Sequence, residues 1–178
     1  LTDDEILFLM GEIQKRFPFE ADGEFSIEVD PRSCPPSKVK TLKQAGFNRM
    51  SLGVQDFNPE VQKAVNRIQP LELTRSVIEA AREEGFHSIN MDLIYGLPKQ
   101  TRESFKRTIE HVIELSPDRI ALYHYAHLPN IFKPQRMIMP ADLPNAEERV
   151  QIMFDSIRTL TANGYRYIGM DHFAKEDD

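Results

Sequence analysis

Apolar runs recur along this chain, and each one closes on polar or charged residues. Phe25 to Val29 leads into Asp30, Pro31 and Arg32, and Met50 to Val54 into Gln55 and Asp56. Ile89 to Tyr95 carries Asp92 and closes with Gly96, Leu97 and Pro98. Ile120 to Tyr125 carries His124 and leads to His127 and Pro129, and Tyr167 to Met170 leads to Asp171 and His172. Stretches of helical periodicity lie between the runs. Strand, polar tip and helix in series predict parallel βα units. In such folds ligands sit at the carboxyl ends of the strands.

The helices carry their own punctuation. Thr2 followed by Glu5 is a capping box, and Ile6, Leu7, Leu9, Met10 and Ile13 give a helical stripe up to Phe17-Pro18. Pro36 and Ser37 open a helix that Gly46 ends, Asn58-Pro59 opens a short one, and another runs from about Leu71 to Glu84 before Gly85. Thr101 caps a helix reaching Leu115, and a last helix through Val150, Ile157 and Leu160 ends at Gly164. Gly46-Phe47, Gly85-Phe86 and Gly164-Tyr165 each stand between a helix and the next strand. Residues from about His127 to Pro144 read as a long proline-bearing loop, the usual form of a lid or binding loop. Five strands cannot close an eight-stranded barrel. The expected fold is therefore α/β, a partial (β/α) barrel of parallel strands with outer helices.

Composition narrows the class. Hydrophobic residues make up 40% of 178, enough for one globular domain with a core, spanning 1–178. Net charge is -6 with no basic block, which argues against a nucleic-acid partner. No apolar run approaches the ~20 residues of a membrane-spanning helix, so no membrane partner is expected. Cys34 is the single cysteine and cannot form an internal disulfide; a cytoplasmic protein is expected. The chain opens on Leu1 with helix-like residues, which reads as a piece of a longer polypeptide.

Glu28, Gln55, Asp92, His124 and His172 lie near five successive strand tips and are expected to converge on one mouth, suited to a ligand rich in hydroxyls or amines. Glu28 alternates with Ile27 and Val29, so it points to the opposite face from them, where a carboxylate needs a partner. Asp30 and Asp56 read as turn or cap residues. Arg67 reads either as a helix-end surface residue or as a guanidinium clamp for a ligand carboxylate. His124 and His127, with Asp92, Asp171 and His172, have a spacing open to metal binding or to ordinary hydrogen-bonded structure. Cys34 reads as a small loop residue with nothing beside it to lower its pKa.

Several phrases together resemble a known family. SIEVDPR (Ser26–Arg32), RMSLGVQDFNPEVQKAVNR (Arg49–Arg67) and NMDLIYGLPKQT (Asn90–Thr101) resemble the radical S-adenosylmethionine core of the oxygen-independent coproporphyrinogen III oxidase family. YAHLPNIFKPQRMI (Tyr125–Ile138) and YIGMDHFAKEDD (Tyr167–Asp178) resemble the oxidases themselves. Haem-chaperone-like relatives would show a Glu-containing phrase ending Ser-Asn-Phe-Ala near Asp171–Ala174. The family's Cys-x-x-x-Cys-x-x-Cys signature and the Gly-rich stretch are absent. The resemblance therefore implies the middle of a catalytic domain, without its cluster-binding strands and C-terminal region.

What the resemblance implies is an oxidoreductase that oxidatively decarboxylates two propionates of coproporphyrinogen III to vinyls, giving protoporphyrinogen IX in anaerobic haem biosynthesis. Its cofactors are S-adenosylmethionine and a [4Fe-4S] cluster, which takes its electron from a separate donor. The protein's share is binding, orientation and exclusion of side reactions. By resemblance the cofactor-binding residues are Glu28, Gln55, Arg67, Asp92 and Ala126, the last through its backbone; no catalytic side chain and no metal ligand is assigned. Lys133 and Arg136 in the long loop are expected to approach the anionic tetrapyrrole. Other readings stay open: a haem-binding relative, a metal-dependent hydrolase or aldolase using Asp92, His124 and His172, and a scaffold that is inactive by itself.

Overall fold

In the computed structural model, which describes residues 1–176 and 178, the predicted alternation is present. The elements are α1 (Asp3–Arg16), β1 (Ser26–Val29), α2 (Pro36–Gln44), β2 (Arg49–Gln55), α3 (Pro59–Ala64) and α4 (Leu71–Glu83). They continue with β3 (Ser88–Tyr95), α5 (Arg102–Leu115), β4 (Arg119–His124), α6 (Ala146–Ala162), β5 (Arg166–Gly169) and β6 (His172–Ala174). Asp177, inside the last matching phrase, lies outside the described residues.

The local signals act as chemistry requires. The Thr2 hydroxyl accepts from the Glu5 amide while the Glu5 carboxylate accepts from the Thr2 amide, satisfying two orphan donors of α1. The Asn58 side chain accepts from the Glu60 and Val61 amides, with Pro59 at the first helical position. Gly85 follows α4 at φ +75°, a conformation that a Cβ would strain.

One sheet of six strands runs in the order β1-β2-β3-β4-β6-β5. The first four are parallel, in register from Ser26–Arg49 to Tyr95–His124 except for a shift between β2 and β3 at Gly53/Gln55. The buried positions of the strands, Met50, Leu52, Ile89, Met91, Ile120 and Leu122 among them, face Leu42, Val77, Ile78, Phe105, Ile109 and Ile152 of the helices. Each such buried side chain stabilises the fold by about 1.5–3 kcal/mol. The opposite face carries Glu28, Ser51, Asn90, Asp92 and Arg119. Every second residue thus belongs either to the core or to a polar sheet face. The sheet is open, as expected of a partial barrel.

Two expectations need correction. The final strand is not a simple fifth parallel neighbour of β4. Gly169, Met170 and Asp171 all have positive φ (94°, 48° and 65°), and this tight reversal sends His172–Ala174 back as β6. β6 pairs antiparallel with β4 and with β5, so β5 runs with the parallel strands but one position further out. The stripe on α1 is also only partly used. Ile6 is buried and Met10 packs on the core, whereas Leu7, Phe8 and Leu9 are exposed. The helix lies beside β1 at the edge of the sheet, where only one side of its stripe meets core.

The long loop is ordered by two short 3-10 turns, Lys133–Met137 and Pro140–Asp142. Among the described residues, no helix is long and apolar enough to cross a membrane.

Candidate functional site

Strand parity decides which predicted residues meet. Glu28 aligns with Ser51, Ser51 with Asn90, and Gly53 with Asp92, all on the polar face. Asp92 aligns with Ala121, and Ala121 with His172, so His172 shares that face. The ring of Tyr123 stands edge-on to His172 at 5.9 Å. Burial, then the carboxylates of Asp92, Asp171 and Glu28, hold the Tyr123 phenol above its usual pKa.

His124 does not join them. It alternates with Ile120 and Leu122 and therefore falls on the helix side, 5.1 Å from the Tyr95 ring and close to Arg149 of α6. Burial and the Arg149 charge push its pKa down. The Asp92, His124 and His172 set of the hydrolase reading is thus split across the sheet. Among the described residues, no group of three or more His, Cys, Asp or Glu side chains is placed to hold a metal. His127 lies 3.4 Å from the Tyr125 hydroxyl, and His172 contacts the Met170 carbonyl at 2.6 Å.

Asp92 is held from two sides. The Asn90 amide donates to its Oδ1 at 2.8 Å and the Ser51 hydroxyl to its Oδ2 at 3.1 Å. The same Asn90 amide reaches Ser51 Oγ at 2.8 Å, and Asn90 Oδ1 is buried with no partner among the described residues. These bonds fix the carboxylate rotamer and leave acceptor capacity on both oxygens. Glu28 is exposed and makes no side-chain hydrogen bond among the described residues, so the partner a buried carboxylate would need is not required here.

Gln55 and Arg67 come together over the tip of β2. Gln55 has φ +71°, where the strand register shifts against β3. Asn66, at φ +52°, follows α3 and turns the chain so that Arg67 returns over the sheet. The buried Gln62 amide locks this return, donating to the carbonyls of Asp56 (2.9 Å) and Gln69 (2.7 Å). The Arg67 guanidinium then donates to the Gly53 carbonyl at 2.6 Å and to Asp30 at 3.1 Å. Burial lowers the Arg67 pKa, and the Asp30 charge opposes that. Both readings of Arg67 meet here: it ends a helix, yet its head is part of a built polar rim.

Asp30 is the cap the sequence implied and also more than that. It caps the turn Pro31–Ser33, receives a fork from Arg32 and receives Arg67. Arg32 first, then Arg67, hold its carboxyl down at about 2. Alternation alone could have found Ser51 and Asn90, since they share the parity of Glu28. Nothing local announced that Asp30 and Arg67 meet.

Gln55, Val65, Arg67, Ile94, Leu97, Tyr125, Gln135 and Ile138 enclose a cavity of about 430 Å³ at the strand tips. Ala126 adjoins it, and its carbonyl accepts from the Gln135 amide at 3.0 Å. The long loop therefore closes one side of the cavity. Arg136 is exposed, is not part of the cavity lining, and donates through Nε to the Pro129 carbonyl at 3.0 Å.

A cavity at the carboxyl ends of parallel strands, rimmed by an amide and a guanidinium and next to a polar sheet face that carries Asp92, defines a small-molecule site of the α/β barrel kind. A family profile for the radical SAM superfamily matches residues 1–112, and the chain belongs to that superfamily. It is 52% identical over 178 residues to the oxygen-independent coproporphyrinogen III oxidase of Escherichia coli (strain K12). It is 50% identical over 180 aligned residues to the enzyme of that name from Pseudomonas aeruginosa. Both alignments cover 100% of this chain and 39% of the relative. The solved structure of coproporphyrinogen III oxidase from Escherichia coli, described as a radical SAM enzyme, matches with a TM-score of 0.97, covering 100% of this chain and 41% of that one. The Elp3 protein of Methanocaldococcus infernus, 20% identical with a TM-score of 0.62 over 75% of this chain and 32% of its own, shares the fold alone.

Membership brings S-adenosylmethionine and a [4Fe-4S] cluster as the superfamily's cofactors. The residues present fit the first: the polar sheet face offers a fixed carboxylate at Asp92 and the rim a guanidinium at Arg67 with donors to spare, the buried Nε among them. They do not fit the second. Thiolates hold such clusters, whereas Cys34 is the one cysteine, buried beneath α1 and α2 with its thiol pushed up by burial.

Proposed function

We propose that the whole protein of which this chain forms part is an oxygen-independent coproporphyrinogen III oxidase, and that this chain supplies the S-adenosylmethionine-binding rim. The chain spans about 39% of the length of the curated relatives it matches. The observation that carries the reading is that Gln55, at the tip of β2, and Arg67, after α3, line the cavity with Ala126 beside it, while Glu28 on β1 and Asp92 on β3 lie on the polar face of the same sheet.

When bound, S-adenosylmethionine supplies this superfamily's hydrogen-abstracting radical. The roles proposed for the chain's residues are binding and orientation. Arg67 pairs with the amino-acid carboxylate, and Glu28 accepts from its ammonium or from a ribose hydroxyl. Asp92 accepts from ribose hydroxyls in the manner of strand-end acids in nucleotide folds. Gln55 both donates and accepts, and the backbone of Ala126 reads adenine. The cavity's apolar walls, Ile94, Leu97 and Ile138, exclude water from the reacting region. The substrate proposed is coproporphyrinogen III, with a separate protein electron donor, in the cytoplasm.

The test is turnover by the whole protein, purified anaerobically with its cluster assembled. It should release carbon dioxide and protoporphyrinogen IX from coproporphyrinogen III, with 5′-deoxyadenosine formed alongside. Formation of 5′-deoxyadenosine with no change in the tetrapyrrole would remove the substrate assignment and leave the cofactor assignment standing.

A further inference from the structure

Arg67 is held by two groups that no sequence motif links to it. Its Nη1 donates to Asp30 Oδ2 at 3.1 Å across the β1 tip, and its Nη2 donates to the Gly53 carbonyl at 2.6 Å on β2. A guanidinium carries five N–H groups, so these two anchors leave three unused. One of them, Nε, is buried and has no partner among the described residues. A buried donor without an acceptor is costly and rare.

Gly53 matters for a second reason. A Cβ built on it would lie 3.2 Å from Arg67 Nη2 and 3.2 Å from Gln55 Nε2. Both side chains therefore cross the β2 backbone where a Cβ would crowd them and glycine does not. Its φ is not in the left-handed region, so backbone freedom does not account for glycine here. Close approach does. Arg67 cannot easily give way, because the same Nη2 is bonded to the Gly53 carbonyl.

We propose that Asp30 and Gly53 are positioning residues: together they lock the Arg67 guanidinium over the β2 tip, beside Gln55, so that its unused N–H groups receive a ligand carboxylate. This rests on the assignment of Arg67 to the amino-acid end of S-adenosylmethionine. Asp30 turns the fork and neutralises part of its charge, while Gly53 sets its height above the sheet. Neither touches the ligand. Arg32, which also forks onto Asp30, keeps that carboxylate ionised and in place.

The test uses the whole protein of which this chain forms part, with its cluster assembled, and two readouts. The first is the Arg67 Nε–H signal in proton–nitrogen correlation NMR, assigned by its loss in Arg67→Lys. Asp30→Asn keeps the cap oxygen but removes the charge, and Gly53→Ala adds one methyl group; each should speed exchange of that signal far more than the modest loss of thermal stability that removing the Asp30 charge brings would account for. The second is calorimetric titration with S-adenosylmethionine and with its decarboxylated analogue. Asp30→Asn should weaken the first by about tenfold, the size expected for a loosened charge-assisted hydrogen bond, and leave the second unchanged. An Nε–H signal unaffected by Asp30→Asn overturns the positioning role, as does an equal loss of both ligands. A wild-type protein that shows no preference for the carboxylate-bearing ligand, with its guanidinium still released by Asp30→Asn, overturns the ligand assignment of Arg67 and not the positioning.

Discussion

Gln100 Nε2 donates to Asp56 Oδ2 at 2.6 Å, with both residues almost fully buried. Asp56 directly follows Gln55 at the tip of β2, and Gln100 follows the turn that closes β3. Thr108 of α5 donates to the other Asp56 oxygen at 2.6 Å, and the Asn58 amide to the same atom at 2.7 Å. Burial pushes the Asp56 carboxyl up, and these donors oppose it. A residue readable as a turn aspartate is thus the bolt between two strand tips and a helix.

Asp56→Ala should therefore act on stability first. It leaves the Thr108 hydroxyl and one N–H of the Gln100 amide buried without an acceptor, the other still reaching the Ile94 carbonyl, a loss of about 3 kcal/mol. Urea denaturation should show a lower midpoint with an unchanged slope. A shift below about 0.5 kcal/mol, the range of an ordinary surface substitution, would show that water takes over the bonds.

Asp30 predicts an acid limb. Its folded pKa is depressed to about 2, chiefly by the Arg32 hydrogen bonds, from an unfolded value near 3.8. The stabilisation is complete above the unfolded value and is lost as pH falls through the folded one. The carboxylate is partly exposed, so solvent screening limits its contribution to about 1 kcal/mol. Comparing Asp30→Asn with wild type by thermal unfolding should show a gap at neutral pH that closes between about pH 4 and pH 2.

Asp92→Ala should weaken S-adenosylmethionine binding by the whole protein about ten- to hundredfold, the value of a charge-assisted hydrogen bond of about 1.5–3 kcal/mol. Asn90→Ala should do less, since Ser51 still holds one carboxylate oxygen. Unchanged affinity in the Asp92 variant, measured by calorimetry, would place Asp92 outside the site.

The chain by itself should not assemble the superfamily's cluster. Cys34 is one thiol where several are needed, it is buried, and its pKa is raised rather than lowered. Anaerobic reconstitution with iron and sulfide should leave no stoichiometric [4Fe-4S] absorbance, and added dithionite should yield no 5′-deoxyadenosine. Robust 5′-deoxyadenosine formation by these residues alone would refute this.

The sequence by itself determined the order of strands and helices as far as β5, their caps, and the parity that turns Glu28 away from the core. These depend on period, on Asn58, Thr101 and the glycines, and on interactions within a few residues. The same parity was legible in Ile120, Leu122 and His124 and sets His124 on the helix side, although its place at a strand tip suggested the mouth. Only tertiary structure decided that β6 enters between β4 and β5, because that depends on which strand edge is open to a chain reversed at Gly169–Asp171. It alone brought Arg67 to Asp30, 37 positions earlier, and to Gly53. Such a meeting is set by where α3 returns the chain across the sheet, and the sum of distant packing energies fixes that path rather than any local preference.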